Sequence, residues 1–310
     1  MDFERRADVV EAQAVLFVAP RRVEVRPVEV PEPADGEVLV ATSHSGISAG
    51  TEMLAYRGDV DPDLPLDETI GSLGGTFSYP FPYGYSCAGW VDRPGGGLEE
   101  GAPVFAYHPH QSRFCVPAEE VVPVGRIPPR HATLFPLVET ALQVTLDAGA
   151  VLGQTVVVMG LGAVGLLIGA ILTRTGARVL GGEPLDWRRA AGSAFGVEAI
   201  APDALPTAVA ETTGGAGVPL VIEASGNPAA LASSLPLLAH EGTALVASWY
   251  GTRRVTLPLG AEFHRRRLSI RSTQVSTIPA GLGDRWSVPR RRAATLDLLP
   301  ELPLDRLATH

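Results

Sequence analysis

The sequence predicts an α/β chain in which a β-rich first part precedes a doubly wound parallel sheet. Three observations carry this expectation. The chain has 310 residues, of which 45% are hydrophobic and 19% charged, enough for two cores. Its texture changes near residue 135, from short alternating runs to longer apolar ones. Beyond that point strand-like and helix-like runs alternate, the pattern of a parallel sheet with crossover helices.

Before residue 135, Gly and Pro separate the short runs. Ala14–Val18, Val23–Val25, Glu37–Ala41 and Cys87–Val91 read as strands. Asp59 to Pro82 is rich in Pro, Gly and Asp and has no clear period. A loop of that length in a compact domain is usually functional or mobile. After residue 135, Leu137–Ala150 has helical spacing, and Thr155–Met159 (TVVVM) reads as a buried strand. Ala163–Thr175 reads as an apolar helix stopped by Gly176, and Arg178–Leu180 as a strand. A helix over Asp186–Phe195 and a strand over Glu198–Ala201 follow. Leu220–Ala224 is a fourth strand, Ala229–Leu238 a helix and Thr243–Ser248 a fifth strand. Arg254–Leu259 and Leu268–Ser272 are strand-like and placed to extend a sheet across a two-fold axis.

Composition excludes several function classes. All 25 cationic residues are Arg, and no Lys occurs. That removes P-loop phosphate binding and Schiff-base chemistry. Two cysteines, Cys87 and Cys115, are too few for a Cys-rich zinc lobe or a disulfide framework, so a reducing, cytoplasmic setting is expected. A net charge of −9 argues against nucleic acid as a partner. The N-terminus, with Asp2, Glu4, Arg5, Arg6 and Asp8, lacks signal-peptide order. The longest apolar stretch, Ala163–Leu172, is about half of the ~20 residues a membrane span needs.

The sharpest motif is Gly160-Leu161-Gly162-Ala163-Val164-Gly165, directly after TVVVM and opening the apolar helix. The first glycine permits a tight turn. The second lets backbone approach a pyrophosphate, and the third lets helix and strand pack closely. Glu183 ends the following strand, where a carboxylate accepts ribose hydroxyls and repels a 2′-phosphate. This favours NAD(H) over NADP(H), although Arg188 and Arg189 lie near enough in sequence to meet a 2′-phosphate instead. Ser225 and Ser248 end the fourth and fifth strands, where such sheets bind ligands. Glu223, Trp249 and Tyr250 lie beside them.

The phrases Ser45-Gly46-Ile47-Ser48-Ala49-Gly50-Thr51-Glu52, Tyr83-Gly84-Tyr85-Ser86-Cys87-Ala88-Gly89 and Val138-Glu139-Thr140-Ala141 join that Gly motif. Together they resemble the medium-chain dehydrogenase/reductase family over nearly the whole chain. Ser-Gly-Ile-Ser and His108-Pro109-His110-Gln111 resemble most the branch containing bacteriochlorophyllide hydroxyethyl dehydrogenase. The resemblance implies a GroES-like catalytic domain over 1–135, with 276–310 packing back on it, and a Rossmann domain over 136–275. It also implies a homodimer and a small-molecule substrate. Zinc-bearing members have ligands where this chain has Ser48, Tyr85-Ser86 and Pro136, so no zinc is expected. Family chains usually run on past the segment matching Leu307-Ala308-Thr309-His310.

Without a metal, protein groups must polarise the reacting oxygen. The resemblance puts Tyr85 at a zinc-histidine position, which makes it the first choice as proton donor. Thr51 matches a proton-relaying hydroxyl, or else bonds its own turn. Glu52 is a general acid or a structural partner of an Arg such as Arg57. Tyr56 offers a phenol or simply packs. His108 and His110 face the same way if strand alternation holds, and one of them is a proton donor near neutral pH or both form a surface pair. His44 and His131 have no supporting context. Thr140 is expected near the nicotinamide. The Arg265–Arg267 and Arg290–Arg292 runs bind an anionic substrate or face solvent. The expected activity is zinc-independent interconversion of an alcohol and a carbonyl. Its rivals are reduction of activated C=C bonds and non-catalytic redox sensing.

Overall fold

The structure is a computed structural model that describes residues 9–307. The charged N-terminal residues 2–8 and the terminal residues 308–310 lie outside the described residues. The chain divides into two compact units, 1–136 and 137–310.

The first unit contains strands β1 (Val9–Ala19), β2 (Arg22–Pro31) and β3 (Glu37–Ser45), then helix α1 (Thr51–Arg57). Strands β4 (Phe81–Pro82), β5 (Cys87–Arg93), β6 (Pro103–Ala106), β7 (Arg113–Pro117) and β8 (Val122–Pro123) follow, with the short helix α2 (Pro129–Ala132). Strands β2, β1 and β4 form one antiparallel sheet in that order. The order β7-β3-β5-β6-β8 forms a second, also antiparallel. Strand β3 is covered on both faces. Val38 and Val40 pack with Val91, Val104 and Phe114, while Leu39 packs with Ala12 and Val30. The alternation of its side chains sends consecutive apolar residues into two separate clusters.

The segment between α1 and β4 is long but packed. Its Val60, Leu66, Leu73 and Phe77 are buried in one cluster with Phe17, Leu54, Phe81 and Tyr83. Phe77 meets Phe81 and Tyr83 edge-on, with ring centroids 5.6 and 5.2 Å apart. Aromatic edges of this kind add to the burial of their area. Sparse apolar residues thus anchor a stretch whose composition reads as loop.

Helix α3 (Phe135–Ala148) spans the boundary between the units. In the second unit, strands β9 (Thr155–Met159), β10 (Arg178–Gly182), β11 (Val197–Ile200), β12 (Val218–Glu223), β13 (Leu238–Val246) and β14 (Ser269–Ser272) form one parallel sheet. Its order is β11-β10-β9-β12-β13-β14. The order reverses between β9 and β12, which is the switch point of a doubly wound dinucleotide-binding sheet. Helices α4 (Ala163–Arg174), α5 (Asp186–Gly192), α6 (Leu205–Thr213), α7 (Pro228–Ser234) and α8 (Val288–Leu298) complete the unit. Strand β9 is central and buried from Val156 to Met159, so its residues form a continuous apolar run.

One expectation changes. Arg254–Leu259 carries no strand, because the chain there turns and coils toward Leu268. Only Ser269–Ser272 joins the sheet, parallel to β13. Helix α8 and the residues after it bond to α3 and α4. Arg291 of α8 is 2% exposed, and its Nε donates to Glu139 Oε1 at 3.0 Å. Its Nη1 donates to Gln143 Oε1 at 2.5 Å. Arg174 of α4 donates to the carbonyl of Glu301 at 2.6 Å. The Arg290–Arg292 run therefore includes a buried structural arginine.

Removing one member of such a pair leaves the other charge buried. Arg291→Ala is expected to lower unfolding stability by about 3–5 kcal/mol. Arg290→Ala, in the exposed neighbour, should stay within about 0.5 kcal/mol. Urea titration followed by circular dichroism measures both.

Candidate active site

The Gly motif forms the tight connection between β9 and α4. Gly160 has φ +91°, and a Cβ there would lie 2.5 Å from Cα of Ser225. A Cβ on Gly165 would lie 1.9 Å from the carbonyl oxygen of Gly160. Both glycines are fixed by close approach. Gly162 differs, because its Cβ direction is open, with nothing within 4 Å. Gly162 is also the N-cap of α4 and has no side-chain cap. The first turn of α4 therefore presents backbone N–H groups beside open space, the cradle a pyrophosphate needs.

Glu183, 2% exposed, follows β10 and ties this turn to the next loop. Its Oε2 accepts the N–H of Leu161 at 2.9 Å, and its Oε1 accepts that of Leu185 at 3.0 Å. Arg188 Nη1 is 3.8 Å from Glu183 Oε2, and its guanidinium lies over the Trp187 ring, 5.0 Å from the centroid. Arg189 is committed elsewhere, donating to the carbonyls of Glu183 and Pro184 and to Asp186.

At the end of β12, Glu223 is fully buried and accepts from the backbone N–H of Ser225 at 2.8 Å. It also accepts from the Ser225 hydroxyl, and from the Tyr250 hydroxyl at 2.6 Å. Burial, with the Glu223 hydrogen bond behind it, raises the Tyr250 pKa, so this phenol stays protonated. Ser248 Oγ accepts from Gly226 N at 2.8 Å. Ser225 and Ser248 thus shape the loop at the carboxyl ends of β12 and β13, and Ser225 abuts Gly160. Thr140 lies on α3 beside Glu139.

The first unit gathers a second constellation around α1. Glu52, 2% exposed, lies on its first turn. Glu52 Oε1 accepts from Ser48 N at 2.7 Å, and Oε2 pairs with His110 Nε2 at 2.7 Å. The other ring nitrogen of His110, Nδ1, is hydrogen-bonded to Ser45 Oγ. Gly84 makes this seat possible. With φ +107°, its Cβ would stand 2.6 Å from the His110 ring. Sequence reading singled out Glu52 and His110 separately. Ser45 appeared only within a motif, because its link to His110 crosses 65 positions.

Tyr85 borders the same cluster. Its hydroxyl bonds to Ser48 and Thr51, and burial pushes the phenol up to about 12. Tyr56 packs against the aromatic cluster of Phe17, Phe77 and Phe81. His108 does not join His110. It stacks on Phe114 with centroids 3.8 Å apart, and its Nδ1 lies 2.9 Å from the carbonyl of Pro109. Burial pushes its pKa down to about 4, so it is neutral at pH 7 and a poor proton donor there. His44 Nδ1 lies 3.1 Å from Ser43 Oγ, and His131 lies on α2. Cys87 is buried, and burial pushes its thiol up to about 11.

The donors at the positions of the expected ligands fit a zinc ion poorly. Ser48, Tyr85 and Pro136 offer hydroxyls or no donor where zinc prefers thiolate and imidazole. Both ring nitrogens of His110 are engaged. Among the described residues, no three His, Cys, Asp or Glu side chains are grouped to hold a metal ion.

Comparison with known proteins agrees with the fold. Residues 163–285 match the family described as zinc-binding dehydrogenase. The 2-desacetyl-2-hydroxyethyl bacteriochlorophyllide A dehydrogenase of Cereibacter sphaeroides is 27% identical over 259 residues, covering 76% of this chain and 74% of that protein. A zinc-binding dehydrogenase from Sinorhizobium meliloti 1021, solved bound to NADP, superposes with TM-score 0.75 and 20% identity over 96% of this chain and 91% of its own. An alcohol dehydrogenase from Escherichia coli CFT073, solved with NADH, superposes with TM-score 0.73 and 18% identity over 96% and 90%. At such identities the two structures speak for the fold. The chain shares the fold of the medium-chain dehydrogenase/reductases, and its residues 163–285 carry the match to their family. It is a dehydrogenase-type oxidoreductase.

Two outcomes follow from this geometry. Gly162→Ala should leave the melting temperature unchanged and weaken NADH binding at least tenfold, whereas Gly165→Ala should lower the melting temperature as well. Fluorescence titration and calorimetry read these effects. For His108, the unfolded chain binds a proton near pH 6.5 and the folded chain only near 4. Between those values the unfolded state holds more protons, so stability falls as pH drops, by up to about 3 kcal/mol. His108→Asn should flatten that slope in urea titrations run from pH 7 to 4.

Proposed function

We propose that the protein is a zinc-independent, NAD(H)-linked oxidoreductase that interconverts an alcohol and a carbonyl on a small organic molecule. The observation that carries this reading is the hydroxyl cluster of Tyr85, Ser48 and Thr51, in which Tyr85 and Ser48 stand at positions that the resemblance gives to zinc ligands. The Gly160–Gly165 turn and Glu183 would hold the dinucleotide, which when bound supplies or accepts the hydride. The open direction at Gly162 and the buried Glu183 carboxylate support that assignment. Glu183 also supports NAD(H), because a 2′-phosphate would meet its charge.

In the reduction direction, Tyr85 donates its proton to the developing alkoxide, and Ser48 and Thr51 hold the resulting phenolate oxygen. A phenol raised to about 12 remains protonated at neutral pH and still yields its proton to a more basic alkoxide. In the oxidation direction the same groups take the hydroxyl proton back.

Purified protein is expected to turn over an alcohol–ketone pair with NADH after chelator treatment, with no stoichiometric zinc by elemental analysis. Tyr85→Phe should lower kcat more than tenfold with cofactor affinity retained, within the range for a general acid. Stoichiometric zinc, or an unchanged rate in Tyr85→Phe, would overturn the mechanism.

A further inference from the structure

The contact between Ser45 and His110 has no part in the chemistry above. Ser45 ends β3 and is exposed, while His110 and Glu52 are 7% and 2% exposed. Ser45 Oγ bonds to His110 Nδ1, and His110 Nε2 lies 2.7 Å from Glu52 Oε2. Glu52 is in turn held by the N–H of Ser48. A carboxylate, an imidazole and a hydroxyl thus follow one another in hydrogen-bonding order, with only the hydroxyl at the surface. Ionised Glu52 can only accept, so Nε2 carries the hydrogen donated to it. Nδ1 is left as the acceptor, facing the Ser45 hydroxyl. This is the arrangement that activates a serine: a base within reach, its tautomer fixed by a buried acid.

The base is also firmly seated. The backbone N–H of His110 donates to the carbonyl of Tyr83 at 3.1 Å, and its own carbonyl accepts from Val15 N at 2.9 Å. The ring fills the space left by the absent side chain of Gly84. The imidazole therefore has little freedom to turn away from Ser45.

We infer that Ser45 is an activated nucleophile and, with His110 and Glu52, forms a second catalytic site that takes acyl groups from small activated esters. This inference does not rest on the dehydrogenase reading. Ser45 Oγ attacks the ester carbonyl carbon while its proton passes to His110 Nδ1. The bond to the leaving alcohol breaks, and that oxygen takes the proton from Nδ1. Water then attacks the acyl-serine and gives its proton to Nδ1. The carboxylic acid leaves, and Ser45 Oγ recovers the proton. Glu52 stabilises the imidazolium formed in each half.

The test treats the full-length protein with a fluorophosphonate probe and locates the adduct by peptide mass spectrometry. The expected result is a single principal adduct on Ser45, formed at least tenfold more slowly in His110→Asn. Absence of an adduct on Ser45, or an equal rate in a folded His110→Asn protein, would overturn the proposal. Should His110→Asn fail to fold, the exposed Ser45→Ala variant decides. Its hydrolysis of p-nitrophenyl acetate is expected to fall at least tenfold below that of the parent, and an unchanged rate sinks the proposal.

Discussion

A buried carboxylate is tolerated only where donors replace the water it has lost. Four glutamates in this chain, Glu52, Glu139, Glu183 and Glu223, are each at most 3% exposed. Each meets the requirement by tying together pieces of chain that would otherwise be independent. Glu52 joins the turn at Ser48, the start of α1 and His110. Glu183 joins the Gly turn to the start of α5, and Glu223 joins the loop after β12 to Tyr250. Glu139 joins α3 to α8 through Arg291. All four lie at or beside residues assigned to chemistry or cofactor. Unlike a surface pair, these links are little screened by salt.

The second unit was largely legible in the sequence. TVVVM and the Gly motif defined β9 and α4 almost to the residue, because a central strand is a continuous apolar run and its turn needs glycine. Helix α6 went unrecognised. It buries only Leu205 and Val209, and its Thr, Glu and Ala residues give a weak stripe. The short strands β6 to β8 were also missed, since two to five residues carry too little alternation to register.

The candidate site was less legible. Its residue types were visible, but their partnerships were not. His108 and His110 are two apart, so alternation placed them on one side. The structure instead sends His108 against Phe114 and His110 to Glu52. Alternation holds only within a regular strand, and both residues precede β7. The loop from Asp59 to Pro82 posed the opposite problem. Its composition suggested mobility, yet five apolar residues spaced along it, Val60, Leu66, Leu73, Phe77 and Phe81, share one buried cluster. Proline and glycine content reports local backbone preference and says little about tertiary anchoring.

The strand order carries a consequence for synthesis of the chain. Strand β9 is the first of its sheet to be made, and its two neighbours are β10 and β12. Strand β10 follows closely, but β12 begins only at Val218. At about 5–20 residues per second, the ribosome needs several seconds to supply it. During that interval one edge of an apolar Val-rich strand has no partner in its own chain. Unprotected edges of this kind recruit other chains. The central place that lets β9 present the Gly turn at the switch point therefore also makes it the strand of its own sheet that waits longest for cover, and crowding of nascent chains exposes it to misassembly.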